Sequence, residues 1–550
     1  MGGEDPSQFQ FAIGPHHRVW IDREIDCKLP DGGKPVAAVQ DARCPCAVNA
    51  VDDLAIHRDA AMEIKLESHC SSILVQYLNA TIKIRMPVEP ARSRLLNDAP
   101  RRQGGRYVLY WSQMNRRVDS NHALAHAAEV ANENGLPLLV YEGLACTYKA
   151  ANDRLHTFIL EAVPETAKKL KAMGAGHFFY LRARRSDPND LLYRLAAQAY
   201  CVITDDYPVF IAAENNTRVS EKIGVAFIAV DSSCIVPMSR HEKRAYGAYT
   251  IRPKIRRELP VWLKPMGIPK LKRVWNDKLL QADLRGLRTR LDATQIPSLV
   301  ASCEINHAVH SIADCKGGYS EARQRLDRFL ETRLSNYARE GNQPSRHATS
   351  ELSPYLHFGH ISSLEVALAV KEYAGEHRLI ADEFLEQLIV RRELAFNFAR
   401  FTTNPESLDA LPDWCKRTMA KHSGDVRPYL YTSEQFERAE THDPLWNACQ
   451  KELLIRGRIH GYYRMYWGKK IIEWSPSYED ALREMIRLHD IYALDGRDPN
   501  TYTNVLWCFG LHDRPWGERP VFGQLRYMSL EGMRRKTDTG AYMKEIEELE

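Results

Sequence analysis

From Arg106 onward the chain alternates between two spacings of apolar residues. YVLYW (107–111) is a short, continuous, β-rich run, HALAHAAEVANENG (122–135) repeats its apolar positions at helical spacing and stops at a glycine, and LPLLVYEGL (136–144) is apolar again. The alternation continues through RLHTFILEAVPETAKKLKAMG (154–174), HFFYL (177–181), DLLYRLAAQAY (190–200), CVITDD (201–206) and VAFIAVD (225–231). Strands that are apolar throughout are covered on both faces, so this order predicts a doubly wound parallel sheet. No G-x-G-x-x-G or Walker loop follows its first strand, and RRQGG (101–105) stands before it instead. No phosphate cradle is therefore written there.

From about Tyr319 nearly every segment has helical spacing, with Pro and Gly confined to ends and turns. The pattern divides the chain into an α/β domain over 86–245, a linker over 246–318 and an all-helical domain over 319–550. Residues 1–85 differ from all of these: four of the twelve cysteines fall here, and Gly, Pro and Asp interrupt any period. We expect a poorly structured extension, read as an upstream stretch translated in frame before a working start at Met86, or else a lineage-specific extension that docks a partner. Its tight cysteine pair, Cys44 and Cys46, has no second pair at zinc-finger spacing, and no metal site is expected.

Composition changes this picture little. The 550 residues are 44% hydrophobic and 27% charged, with a formal net charge of +4. Folded domains follow, and nucleic-acid contact has to come from local basic clusters. Arg391-Arg392, Lys416-Arg417 with Lys421, Lys469-Lys470 and Arg534-Arg535-Lys536 are such clusters, and each also reads as a solvated helix face. No apolar run approaches the roughly 18 residues of a membrane span, and the amino terminus lacks the features of a signal peptide. A soluble monomer is expected, nucleoid-associated in a bacterial cytoplasm or nuclear in a eukaryote.

Chemistry gathers in the helical half. RMYWGKKIIEWS (464–475) puts Trp467 and Trp474 about two turns apart on one helix face, either as a packing stripe or as a relay. TSELSPYLHFG (349–359) is a hydroxyl-rich turn entering a helix, where Thr349, Ser350 and Ser353 can cap the helix or present donors to an anion. Together with FLEQLIVRREL, THDPLWNA, GRIHGYYRMYWGKKIIEW, ALDGRDPNTYT and HDRPWGERPVFGQLRYMS, this turn resembles the class II DNA photolyases of the photolyase/cryptochrome family, from about Arg92 to the carboxyl end.

The resemblance implies light-driven repair of cyclobutane pyrimidine dimers, a carbon–carbon lyase reaction on UV-damaged DNA. It implies an α/β antenna domain, housing any antenna chromophore, joined to a helical domain that holds FAD. Tyr337, Thr349, Ser350, Leu352 and Ser353 resemble the flavin phosphate and ribityl contacts, and Arg464 the arginine beside the isoalloxazine. Trp446, Trp467 and Trp474 resemble the rings that pass electrons to the flavin from the surface. Met465, Trp507 and Trp516 resemble the lining of the pocket for a flipped dimer, and Arg391, Arg534, Arg535 and Lys536 are candidates for DNA phosphate contact.

Three positions depart from the family pattern. Gln387 stands where a glutamate usually contacts the dimer's bases; His489 replaces an asparagine beside flavin N5 and is expected to make flavin reduction pH-sensitive. Gly341 replaces an arginine, which is expected to leave its partner Asp513 unpaired. These departures carry two alternatives to repair: a cryptochrome-like blue-light receptor, or a DNA-binding protein that retains FAD structurally.

Overall fold

A computed structural model describes residues 89–549 and, before them, the backbone of three short strands. These strands, β1 (Gln10–Ile13), β2 (His17–Trp20) and β3 (Met62–Glu63), pair antiparallel in the order β2-β1-β3. Cys44, Cys46 and Met86 lie outside the described residues.

The second sheet has six strands: β4 (Ser93–Leu95), β5 (Tyr107–Ser112), β6 (Leu138–Ala145), β7 (Gly176–Arg182), β8 (Ala199–Asp205) and β9 (Phe227–Val230), in the order β4-β9-β8-β5-β6-β7. β5 to β9 are parallel, as their continuous apolar runs predict, and β5 is buried at every position. The sheet is not wholly parallel. β4 closes one edge antiparallel to β9, and its three residues SRL carry no apolar run that could have announced it. The expected helices cover the faces as His122–Glu133, Asp153–Met173 and Leu191–Ala196, joined by Phe210–Ser220, whose polar sequence hides its period.

The segment read as a linker holds a full helix, Ala248–Trp262, and two short ones, Ala282–Leu287 and Ile296–Ala301. Beyond it, four helices share one core: Pro444–Arg456, Gly461–Trp474, Tyr478–Tyr492 and Pro499–Cys508. Their starts are set locally, since the side chains of Asp443, Ser477 and Asp498 each accept a backbone N–H of the first turn. Gly468 lets two of them close up, because a Cβ there would lie 2.7 Å from Cys508 Sγ.

Two buried side chains join the α/β and helical parts. Arg154 donates to the carbonyls of Leu453, Leu454 and Tyr492, capping the C-terminal ends of two helices where the dipole favours a cation. Glu393 Oε1 accepts from the N–H groups of Ile235 and Val236, at 2.6 and 3.2 Å. Its burial, opposed by those bonds and by Arg392, pushes the carboxyl up to about 8.

Candidate flavin and lesion site

The TSELS turn is not a capped helix start. The short helix Ser353–His357 has Leu352 at its N-cap with no side-chain cap bond, and Glu351 before it is left-handed at φ 58°. The capping expectation thus fails, and the hydroxyls of Thr349, Ser350 and Ser353 are not spent on the helix. Arg458, Arg325 and Arg333 converge on Glu351 at 2.8, 3.2 and 3.5 Å, so cations outnumber acids at this turn, which suits a diphosphate. Tyr337 stands edge-on to Phe384 at 5.3 Å and is half-buried.

Three residues predicted for the flavin, Arg464, His489 and Ser353, come from distant segments and meet Asp495, which the sequence did not single out. The Arg464 guanidinium pairs with Asp495 at 3.1 Å. Burial opposes ionisation of Asp495, but Arg464 and a hydrogen bond from Ser353 hold it below the ordinary carboxylate range. His489 lies in the same field, and burial with the nearby Arg464 charge pushes it down to about 4. Its Nδ1 is 2.8 Å from the Met485 carbonyl, which only accepts, so Nδ1 carries the proton and Nε2 is the bare acceptor. Nε2 of His489 and Nε of Arg464 are buried with no hydrogen-bond partner among the described residues. Buried polar atoms left open in a charged cluster fit a polar ring system such as an isoalloxazine.

The tryptophans stack across two helices. Trp446, from Pro444–Arg456, lies parallel to Trp467, with centroids 6.2 Å apart and planes 3° apart, and meets Trp474 at 6.0 Å. Trp446 Nε1 donates to the Trp467 carbonyl, and Trp467 Nε1 to Gln450 Oε1, both at 3.0 Å. Trp467 also faces His489 at 5.0 Å. None of the three rings reaches the surface, contrary to expectation: all are buried in the shared core. The aromatic chain continues past Trp474 through Tyr431 at 5.6 Å and His442 at 5.0 Å to Tyr429, which stacks on His442 at 3.9 Å and is exposed. Tyr431 and His442 share a 2.5 Å hydrogen bond. Sequence reasoning missed these three because nothing in PYLYT or THDP has a period; only the adjacency of Tyr429 and Tyr431 hinted at it.

Gln387 sits in a π-helical turn, Glu386–Arg391, that interrupts an otherwise α-helical run. Such turns recur at functional sites because the extra residue re-aims its neighbours. The Gln387 side chain is exposed and makes no hydrogen bond among the described residues. In another part of the helical domain, the Arg526 guanidinium lies 5.1 Å from the Trp507 ring and 4.4 Å from the Trp516 ring. Asp513 is not unpaired, contrary to expectation: Arg526 holds it at 3.0 Å, without an arginine at position 341. Lys469 Nζ lies 5.3 Å from the Trp507 ring, which seats this group on the helix that carries Arg464 and Met465. Met465 is half-buried there.

The basic clusters separate in space. Arg391, Arg534, Arg535 and Lys536 are exposed. Lys469 and Lys470 are not phosphate contacts: both are buried, Lys469 donating to the Cys508 carbonyl and Lys470 paired with Glu473. No group of three or more potential metal ligands occurs among the described residues, and no described helix is long and apolar enough to cross a membrane.

Comparison with known proteins agrees with this geometry. The DNA photolyase family model matches residues 108–270. The deoxyribodipyrimidine photo-lyase of Methanothermobacter thermautotrophicus is 38% identical over 463 residues, covering 84% of this chain and 99% of its own. That of Oryza sativa subsp. japonica is 36% identical over 476 residues, covering 84% and 91%. In fold, the Synechocystis cryptochrome superposes with a TM-score of 0.60 at 16% identity, over 80% of this chain and 88% of the other. With relatives this similar over nearly their whole length, the chain belongs to the DNA photolyase family.

Proposed function

We propose that this chain repairs cyclobutane pyrimidine dimers in DNA under light, with FAD held in the helical domain. The observation that carries the reading is the meeting of Arg464, Asp495, Ser353 and His489 in one partly buried cluster, with orphaned polar atoms, against the first ring of a tryptophan stack. FAD, when bound, supplies light absorption and the electron exchanged with the dimer. The chain supplies the rest. Tyr337, Thr349, Ser350, Leu352 and Ser353 line the phosphate and ribityl end, and the Arg464–Asp495 pair fixes charge beside the ring system. Trp467, Trp446 and Trp474 keep aromatic rings at fixed spacing in a rigid core, which is what stepwise electron transfer requires. Met465, Trp507 and Trp516 offer apolar faces to unstacked bases, and Gln387 offers an amide to their edges. Arg391, Arg534, Arg535 and Lys536 meet phosphates.

The test is blue-light illumination of the purified, FAD-containing protein with an oligonucleotide carrying one thymine dimer. Repair is expected; no repair with flavin bound and reduced refutes the reading. One observation favours a second reading, a light receptor with weakened repair: Gln387 cannot carry the negative charge of the glutamate the family uses there. Light-driven flavin reduction without dimer repair would select it.

A further inference from the structure

The turn and helix from Lys243 to Arg257 carry a surface that the flavin chemistry does not use. This stretch contains Lys243, Arg244, Arg252, Lys254, Arg256 and Arg257 and no acidic residue. Ile251, Ile255 and Trp262 bury one side of the Ala248–Trp262 helix, which turns Tyr249, Arg252 and Arg256 outward at helical spacing. Tyr246 and Tyr249 are 50% and 65% exposed, with rings edge-to-face at 6.1 Å. Two large aromatic rings left side by side in water, amid cations, mark a recognition surface and not a core. Among the described residues, Lys243, Lys254, Arg256 and Arg257 make no ion pair within 4 Å.

This surface is continuous with the lesion pocket at two points. Arg252 grips Glu386, the residue before Gln387, with two bonds of 2.9 and 2.7 Å. Gly247 passes against the loop that carries Asp513 and Trp516, for a Cβ there would lie 3.9 Å from the His512 carbonyl oxygen. Arg244 packs 4.7 Å over Phe398, which meets the His512 ring at 6.0 Å. The segment that carries the tyrosine pair thus touches both the Gln387 turn and the loop of Trp516, two parts of the proposed lesion site.

We propose that Tyr246, Tyr249, Lys254 and Arg256 bind the sugar–phosphate backbone of the intact duplex flanking a lesion. Lys254 and Arg256, with no ion pair within 4 Å, match phosphate, the tyrosine hydroxyls donate to phosphate oxygens, and their rings pack on deoxyribose. Because these contacts are to backbone, they act alike on damaged and undamaged duplex. The inference rests on the DNA-repair reading only in naming DNA as the ligand.

The experiment compares the FAD-containing wild type with two double variants, Tyr246→Ala/Tyr249→Ala and Lys254→Ala/Arg256→Ala. Arg252 is left intact because it positions the Gln387 turn. Fluorescence anisotropy is measured on three probes: a duplex with one central dimer, the same duplex undamaged, and a short single strand holding little more than the dimer. Both variants should lose duplex affinity several-fold, damaged and undamaged alike, and keep wild-type affinity for the short strand. In Lys254→Ala/Arg256→Ala the salt dependence of duplex binding should become shallower by about one unit of log–log slope for each cationic phosphate contact removed, whereas Tyr246→Ala/Tyr249→Ala, which removes no charge, should keep the wild-type slope. Flavin content and Tm should not change. Wild-type duplex affinity and slope in both variants would overturn the proposal, as would equal weakening on the short strand, which would place these residues in the lesion pocket. Wild-type protein that binds DNA without repairing it would instead refute the repair reading and leave the surface standing.

Discussion

The His489 ring meets Trp467 edge-on, with centroids 5.0 Å apart and planes at 89°, so the histidine expected beside the flavin is packed against a ring of the tryptophan stack. Burial and the nearby Arg464 charge keep the imidazole neutral down to about pH 4. The sequence had suggested a pH switch near neutrality. The fold moves it below the physiological range.

Flavin photoreduction should therefore be flat between about pH 6 and 8 in the wild type. Stability should not be flat. His489 has a folded-state pKa near 4 against an ordinary value of 6.5, so the unfolded chain binds the extra proton first as pH falls. Stability is then lost progressively from about pH 6.5 down to 4, by on the order of 3 kcal/mol for this residue. Denaturant titrations of wild type and His489→Asn at several pH values check this, and the variant should lack that share of the acid loss.

Replacing Trp446 by Phe should abolish light-driven reduction of the flavin and spare repair by protein already reduced chemically. Trp446 is the only ring among the three seen touching both others, at 6.2 and 6.0 Å. The substitution also loses the indole bond to the Trp467 carbonyl, at a cost of about 1–3 kcal/mol, so Tm must be read alongside. Normal photoreduction in folded Trp446→Phe would make these rings packing alone.

The end of the relay can be tested apart from its middle. Tyr431→Phe keeps the ring against Trp474 but removes the hydroxyl bonded to His442. If electrons enter there with proton loss to the histidine, steady-state photoreduction should slow several-fold while core stability holds. An unchanged rate would send the route out through other residues.

Gln387→Glu should strengthen dimer binding. Hydrogen bonds to a charged group contribute about 1.5–3 kcal/mol against roughly 1 for neutral ones, so a gain of about tenfold in affinity is the expected size. Arg252 and Arg391, both on the neighbouring Glu386, supply the positive field that keeps a new carboxylate ionised. Unchanged affinity and repair yield would mean that Gln387 does not touch the lesion.

Restoring arginine at position 341 should harm rather than help. A Cβ on Gly341 would lie 2.6 Å from the Tyr337 carbonyl oxygen and 3.3 Å from its ring, and Asp513 already has Arg526. Gly341→Arg, and to a similar degree Gly341→Ala, should lower flavin retention through Tyr337, measured as bound FAD per chain after gel filtration. Full retention in both would show that the turn gives way without cost.

Much of this was readable along the chain because it is local. The parallel strands announced themselves as continuous apolar runs; the capped helix starts at Asp443, Ser477 and Asp498 are equally local, but the sequence reading did not single them out. β4, the Phe210–Ser220 helix and the Ala248–Trp262 helix were missed, being too short, too polar or too basic to show a period. The capping expectation at Thr349–Ser353 failed because Glu351 takes a left-handed turn that no residue type there requires.

The sequence by itself determined the two-part architecture, the family and the residue types at each candidate position, since apolar spacing and ordered motifs are properties of neighbours in the chain. Only the tertiary structure decided what those residues do to one another. Trp467 and Trp474 are joined through Trp446 from another helix, Asp513 is neutralised by Arg526, and the adjacent Lys469 and Lys470 are withdrawn into the core. Charge state, ring contact and exposure depend on distances through space, and those are set when distant segments pack.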